Sequence, residues 1–116
     1  MMSGREEKNN RPAIDKVIHE RARLLILSYL AADDRKQAPF VVLKEKLGLT
    51  AGNLSIQLRN LEEAGYIKID KRIVGRKPAT DVLLTAKGMS ALNDYLAEME
   101  ELIRRVKNVG EAEKEE

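Results

Sequence analysis

The sequence predicts an α+β fold that is mostly α-helical and ends in one long helix. Apolar residues recur at helical spacing before Gly65, alternate with charged residues just after it, and return to helical spacing beyond Thr85. These two changes of period predict helices, then a small antiparallel β-hairpin, then a helix. Because a chain of 116 residues can bury one hydrophobic core but not two, a single domain is expected.

The composition excludes several classes of function. The chain has no cysteine, which excludes disulfides, thiolate metal ligands and a cysteine nucleophile. His19, the only histidine, has no second ligand at metal-binding spacing, and no catalytic set of side chains stands out. No enzyme activity, metal or cofactor is therefore predicted. Residues 1–11 are polar and no run approaches the roughly 20 apolar residues of a membrane span, which favours a cytoplasmic protein without a membrane partner.

The first helical segment covers residues 13–32. Its apolar stripe leaves open whether this is one helix or two, because residues 19–23 interrupt the spacing. Residues 33–36 are all charged and predict a solvated loop. The stripe consists of Ile14, Val17, Ile18, Leu24, Leu27 and Leu30.

Two shorter helices joined by a tight turn follow. The apolar stripe of the first consists of Phe40, Leu43 and Leu47. The stripe of the second consists of Leu54, Leu58 and Leu61. Between them, Gly48 stands where a left-handed residue ends a helix, and Thr50 stands where an N-cap begins the next. Gly65 closes the second helix, so the segment predicts a helix-turn-helix.

A β-hairpin is predicted directly after Gly65. Ile67, Ile69 and Ile73 alternate with charged residues, as in a half-buried strand. Lys71 interrupts the apolar face, so the far end of this strand is expected to leave the core. Residues 75–80 contain Gly and Pro and predict a loop, and residues 81–84 predict a short second strand. A hairpin in this position is the wing of a winged helix-turn-helix.

A long helix capped by Thr85 is predicted to close the domain. Its apolar residues are three and four apart, which is the spacing of a heptad seam. They are Met89, Leu92, Leu96, Met99, Ile103 and Val106. We therefore expect a disordered arm at residues 1–12, a winged-helix domain at residues 13–107 that includes a dimerisation helix at about residues 86–107, and an acidic disordered tail at residues 108–116.

Three stretches of the sequence match one known family. They are LGLT at residues 47–50, LRNLEEAGYI at residues 58–67 and LTAKG at residues 84–88. The chain thereby resembles the MarR-like winged-helix transcriptional regulators, in which leucine–glutamate and a glycine precede the first wing strand and leucine–threonine and a glycine follow the wing. The resemblance covers roughly residues 14–106 and implies a DNA-binding regulator of transcription.

The second helix of the helix-turn-helix, residues 51–64, is predicted to enter the major groove of DNA. Its leucine stripe is buried, so at about 100° per residue the opposite face is left for the bases. Arg59 has the donors to read guanine, and Asn60 or Asn53 can read adenine. Ile56 can touch a thymine methyl group, and Gly52 lets the backbone approach a phosphate. The predicted contacts are Thr50, Gly52, Asn53, Ser55, Ile56, Arg59 and Asn60.

The formal net charge is only +2, but the cations are concentrated in the wing. Residues 65–80 hold five of them against Asp70 alone, which is the charge distribution of a phosphate-binding surface. Four of the five are predicted to contact the DNA backbone or the minor groove. These are Lys71, Arg72, Arg76 and Lys77.

The predicted function is sequence-specific binding of double-stranded DNA by a homodimeric transcriptional repressor. The predicted dimer interface consists of Ile14, Val17, Ile18, Met89, Leu92, Leu96, Met99, Ile103 and Val106. Which helices dominate that interface is left open, as is the identity of any small-molecule effector. The alternative is a winged-helix module that contacts other proteins of the transcription or recombination machinery, for which a less charged recognition helix is expected.

Overall fold

The computed structural model describes residues 14–115, with side-chain exposure through residue 110. Its elements in chain order are α1 (Arg21–Ala32), β1 (Gln37–Pro39), α2 (Phe40–Leu47), α3 (Ala51–Glu63), β2 (Ile67–Val74), β3 (Lys77–Leu84) and α4 (Ala86–Glu115). This arrangement confirms the mostly helical α+β fold with a helix-turn-helix, a wing and a long last helix. The arm predicted at residues 1–12 lies outside the described residues.

A turn precedes α1, so the segment before residue 32 contains one described helix rather than a continuous one from residue 13. The Asp15 carboxylate accepts hydrogen bonds from the backbone N–H groups of Val17 and Ile18, at 2.9 and 3.2 Å. The Glu20 carboxylate then accepts from the N–H of Arg23 at 2.8 Å and caps α1. Side chains that bind nearby backbone groups in this way compete with helix hydrogen bonds, which is why the helix starts only at Arg21.

The sheet has three antiparallel strands in the order β1-β3-β2, and therefore one strand more than the predicted hairpin. The additional strand is β1, whose central residue Ala38 is buried and pairs with Val82. Three residues are too few to show a period of two, and their partners lie some forty positions away along the chain. The sequence pattern therefore has no local signal for β1.

The wing is longer and its turn tighter than predicted. Residues 77–80, expected to form a loop, belong to β3, and the turn is only Gly75–Arg76, with Gly75 at φ 67°. The pair Val74–Lys77 closes the two-residue turn and is hydrogen-bonded, and the next pair along the ribbon is Ile73–Pro78. Because hydrogen-bonded and non-hydrogen-bonded pairs alternate in an antiparallel ribbon, Pro78 needs no N–H for its partner strand and is tolerated here. Its nitrogen points to an edge that β1 leaves open, since β1 reaches only Asp81.

One aliphatic core lies between the helices and the sheet. The leucine stripe of α3 is buried as predicted, and Leu92 and Tyr95 bring α4 onto the same core. The core consists of Ile18, Ile26, Leu27, Leu30, Ala38, Leu43, Leu54, Leu58, Leu61, Ile67, Val82, Leu92 and Tyr95. Within the described part of the chain, no helix is both long enough and apolar enough to cross a membrane.

Two of the three stretches that resemble the MarR-like regulators, residues 58–67 and 84–88, are in contact at the start of α4. The hydroxyl of Thr85 donates to the Gly65 carbonyl at 2.7 Å and accepts from the Gly88 N–H at 2.9 Å. The second hydrogen bond confirms that Thr85 is the N-cap of α4, as predicted. The Thr85 N–H also donates to the Tyr66 carbonyl at 3.0 Å. A Cβ on Gly88 would lie 2.1 Å from that carbonyl oxygen, so only glycine allows this approach. The junction sets the direction in which α4 leaves the domain.

α4 extends to Glu115, beyond the end predicted near residue 107. Gly110 does not stop the helix, because an interior glycine costs only about 1 kcal/mol and the flanking Glu, Ala and Lys residues are good helix formers. The predicted helix end is therefore corrected. The division of the chain into arm, domain and tail stays a prediction.

The turn before α1 is attached to the wing base through Tyr66, whose hydroxyl donates a hydrogen bond to the Asp15 carboxylate. This hydrogen bond, together with burial and the negative charge of Asp15, raises the pKa of Tyr66 from 10.0 to about 12. The folded state therefore holds the phenol proton more tightly than the unfolded state. The contribution of this contact to stability is complete below pH 10 and is lost as the pH rises towards 12.

Tyr66→Phe is expected to lower the free energy of unfolding at pH 7 by roughly 1–2 kcal/mol, because it removes a hydrogen bond to a charged group. Between pH 10 and 12 the wild-type protein should lose stability more steeply than the variant, which has no phenol to ionise at this position. Urea denaturation of both proteins across this pH range measures the difference. Parallel loss of stability in the two proteins would show that the Asp15 contact does not hold the phenol proton.

Candidate nucleic-acid interface

The turn between α2 and α3 leaves the start of α3 exposed. Gly48 ends α2 in the left-handed conformation at φ 64°, as predicted, and the Leu49 N–H donates back to the Lys44 carbonyl at 3.1 Å. The Thr50 hydroxyl caps α3 by accepting from the Asn53 N–H at 3.1 Å. The cap satisfies one N–H of the first turn, and the positive dipole end of the helix lies towards solvent.

The side of α3 opposite its leucines is open to solvent. Ile56 is 56% exposed there although it is a large apolar side chain. Of the seven residues of α3 and its cap predicted to meet DNA, six are exposed and only Asn60 is half-buried. The exposed six are Thr50, Gly52, Asn53, Ser55, Ile56 and Arg59.

Three of the predicted contacts of α3 line two different clefts. Arg59 and Ser55 line a cleft of about 470 Å³ together with Lys71 and Thr80 of the wing. Asn60 instead lines a shallower cleft on the other flank of α3, next to the turn before α1. The fold thus brings Arg59 beside the wing and separates it from Asn60, although the two are adjacent in sequence.

The wing cations, which are close in sequence, lie on different faces of the two-stranded ribbon. Since successive strand residues point to opposite faces, Lys71 faces the cleft with α3, whereas Arg72 and Lys77 lie on the other face. Arg76 is at the tip. Arg72 forms an ion pair with Asp81 at 2.6 Å, which offsets its charge. Among residues 14–110, no carboxylate lies within 4.0 Å of the other three cations.

The chain matches the model of one protein family over residues 22–103, and that family is described as a winged helix DNA-binding domain. The match covers both helices of the helix-turn-helix, the wing and most of α4. The chain belongs to the winged-helix DNA-binding domain family. This membership confirms the fold class predicted from the sequence.

Similar proteins agree with the family assignment. An uncharacterized protein of Methanocaldococcus jannaschii is 33% identical over 91 residues, which cover 78% of this winged-helix chain and 97% of that protein. The structure of a transcriptional regulator homologue from Pyrococcus horikoshii superposes with a TM-score of 0.75 at 31% identity, covering 86% of this chain and 97% of that one.

The fold is also that of the MarR family. Sco3205 of Streptomyces coelicolor, a MarR-family transcriptional regulator solved in complex with DNA, has a TM-score of 0.61 at 16% identity, covering 86% of this chain and 72% of that one. At this identity the likeness concerns the fold alone. The resemblance inferred from the three sequence stretches is confirmed at that level.

The residues predicted to form the dimer interface of this winged-helix protein divide into two groups. Ile18 and Leu92 belong to the core of the protomer, and Ile14, Val17, Met89 and Met99 are half-buried. The outer part of α4 instead exposes apolar side chains, with Leu96 at 43%, Ile103 at 49% and Val106 at 66%. Val109 extends this row by one further position and is absent from the prediction. The exposed row of Leu96, Ile103, Val106 and Val109 is called the α4 ridge below.

His19 has a structural partner. Its Nδ1 lies 2.8 Å from the hydroxyl of Tyr95, which connects the turn before α1 to α4. No group of three potential metal ligands occurs among the residues that the structure describes. His19 is exposed, and its described role is this structural contact with Tyr95.

Proposed function

We propose that this protein is a sequence-specific regulator of transcription that binds double-stranded DNA as a homodimeric repressor. The observation that carries the proposal is the juxtaposition of a capped, solvent-exposed α3 with a cationic β-ribbon, since Arg59 and Lys71 line one cleft. A recognition helix needs an exposed face for the bases, and a wing needs cations for phosphates. Both are present on the same side of the domain.

In this proposal residues 51–64 lie in the major groove. The exposed guanidinium of Arg59 has two parallel donors, which match O6 and N7 of guanine. Ile56 offers an apolar contact for a thymine methyl group. The uncapped N–H groups near Gly52 and the dipole of α3 favour a phosphate at the start of the helix.

The wing contacts the backbone or the minor groove in the same proposal. A minor groove is bounded by two phosphate strands, so a ribbon with cations on both faces can meet both of them. Lys71 on one face and Lys77 on the other suit this arrangement, with Arg76 at the tip. Arg72 is the least available of the four cations because Asp81 already binds it.

The α4 ridge is the proposed centre of the dimer interface. It exposes a row of large apolar side chains on a helix that extends from the domain, and such a row is stable in water when a second copy covers it. A twofold dimer presents two recognition helices, so the operator is expected to contain two half-sites about one helical turn or a multiple of it apart. Repression follows when the dimer occupies a promoter and excludes polymerase.

Arg59→Ala and Lys71→Ala are expected to weaken DNA binding in different ways. Arg59→Ala removes base contacts and should reduce affinity for the cognate duplex by roughly 1–3 kcal/mol, with little effect on a scrambled duplex. Lys71→Ala removes a phosphate contact and should weaken both duplexes equally, with a salt dependence lower by about one counterion per site. Titrations of both duplexes at several salt concentrations separate the two effects.

Arg104→Ala is the matched control, because it removes the same charge as either variant from an exposed position on α4 that points away from the α4 ridge. Equal loss on both duplexes for Arg59→Ala would contradict base readout by this face of α3. If neither Arg59→Ala nor Lys71→Ala changes binding to either duplex, the alternative of a protein-contact module becomes the better account.

A further inference from the structure

A chain of hydrogen bonds connects α1 to the start of α3. Arg23 donates from Nε to the Val17 carbonyl at 2.5 Å and from Nη1 to Oε1 of Gln57 at 2.7 Å. Gln57 in turn donates from Nε2 to Oδ1 of Asn53 at 3.1 Å. Neither Arg23 nor Gln57 was among the residues predicted from the sequence to serve DNA binding, and both are half-buried behind the exposed face of α3.

The direction of this chain is set by arginine, which has only donors. Gln57 must therefore present its oxygen to Arg23, and its amide group is left for Asn53. Asn53 must then present its oxygen to Gln57, so its own NH₂ group is the one available on the exposed side of the helix. The orientation of an exposed amide, which is otherwise free to rotate by 180°, is thus determined from α1.

We propose that Arg23 is a positioning residue for base recognition, which acts through Gln57 to present Asn53 to the major groove as a hydrogen-bond donor. This inference rests on the proposed function, in which α3 lies in that groove. A donor suits bases with an acceptor on the major-groove edge, namely N7 and O6 of guanine, N7 of adenine or O4 of thymine. Cytosine offers only the N4 amino donor there and is disfavoured. A free asparagine can bind adenine through both its amide oxygen and its amide nitrogen. The Asn53 oxygen already accepts a hydrogen bond from Gln57, so Asn53 is left to contact a base through its NH₂ group alone.

The arrangement also makes the turn before α1 part of the recognition machinery. The Val17 carbonyl holds the second donor of Arg23, and the turn itself is fixed by Asp15 through Val17 and Tyr66. Arg23 is therefore held from two sides before DNA arrives, so little rotamer entropy remains to be lost when Asn53 meets a base.

Gln57→Glu is the sharpest test, because it changes one NH₂ group to an oxygen and keeps the acceptor for Arg23. A glutamate cannot donate to Asn53, so the Asn53 amide should turn and donate to it, which leaves Oδ1 facing the groove. At the base pair read by Asn53, the preference should shift by roughly fivefold to tenfold towards bases with an amino donor, cytosine and adenine. Selection of bound fragments from random duplexes, followed by sequencing, gives this preference at every position.

Four further variants complete the experiment. Gln37→Glu introduces the same charge in β1, away from α3, and should leave the base preferences unchanged. Asn53→Ala should remove the preference at that base pair, and Asn53→Ala with Gln57→Glu should match Asn53→Ala alone apart from a uniform loss of affinity. Arg23→Met, which has no donors, should broaden the preference at the same base pair only. Thermal unfolding of each variant verifies that it is folded.

The inference is overturned if folded Gln57→Glu keeps the wild-type preference at every position of an enriched site. It is also overturned if Gln57→Glu changes the base preference by the same amount in the wild-type protein and in the Asn53→Ala variant. These failures leave the proposed function standing, because the wild-type protein still enriches a site. No enrichment by the wild-type protein would instead overturn the proposed function, and the inference with it.

Discussion

Gly88→Ala should destabilise the fold by about 3 kcal/mol or more, at the upper end of the range for overpacking. The added Cβ would lie 2.1 Å from the Tyr66 carbonyl oxygen and 2.9 Å from Cδ1 of Leu84. The first neighbour is backbone and cannot move aside without breaking the hydrogen bond between the Thr85 N–H and the same carbonyl. A loss of this size should lower Tm by more than about 10 °C.

Gly52→Ala is the matched control for the effect on folding. This position also lies within a helix, but no atom is within 4 Å of the added Cβ, so the substitution should raise stability by roughly 0.5–1 kcal/mol. Thermal and urea unfolding of the two variants and the wild-type protein provide the comparison. If Gly88→Ala and Gly52→Ala changed stability in the same direction and by similar amounts, the close approach of α4 to the Tyr66 carbonyl would be contradicted.

If the proposed dimer forms through the α4 ridge, Leu96→Asp combined with Ile103→Asp should give monomers. Each substitution places a charge on the α4 ridge, where it would be buried against a second copy without a partner. Both side chains are exposed in the protomer, so the fold itself should remain. Because a monomer engages one half-site, affinity for a two-half-site operator should fall by about 100-fold or more. Light scattering and operator titration measure the two effects.

Ala97→Asp is the control, since it introduces the same charge on an exposed position of α4 that points about 100° away from Leu96. It should remain a dimer with nearly unchanged operator affinity. A monomeric wild-type protein at micromolar concentration would show that the α4 ridge does not form a dimer interface. If the double variant is still a dimer, the dimer interface lies outside the α4 ridge.

Most of the fold was predictable because its determinants are local. The αL glycine Gly48, the cap Thr50 and the leucine stripe of α3 each act within a few residues, and a helical or alternating period exposes them. Strand β1 and the strand identity of residues 77–80 depend on pairing with distant or adjacent strands, for which single-sequence patterns carry no signal. The predicted end of α4 lay near the last apolar residue of the seam, but the polar residues that follow are good helix formers and the helix continues to Glu115.

The candidate site was predictable in outline but not in geometry. Spacing identified the exposed face of α3 and the hairpin, and charge identified the hairpin as a phosphate-binding surface. The separation of Lys71 from Lys77 required the strand register, and the pairing of Arg72 with Asp81 required the contact across the ribbon. Likewise, Arg23 and Gln57 are 34 positions apart and no pattern in the sequence connects them.

Selection from a library of random duplexes with the full wild-type chain tests the central claim most directly. We expect enrichment of an inverted repeat whose half-sites are separated by about one helical turn or a multiple of it. Each half-site should contain a guanine at the position where Arg59→Ala loses the base preference. Sequencing the bound fraction at moderate salt, with an unselected sample as reference, gives the result. A bound fraction with the same sequence composition as the unselected sample would contradict the account.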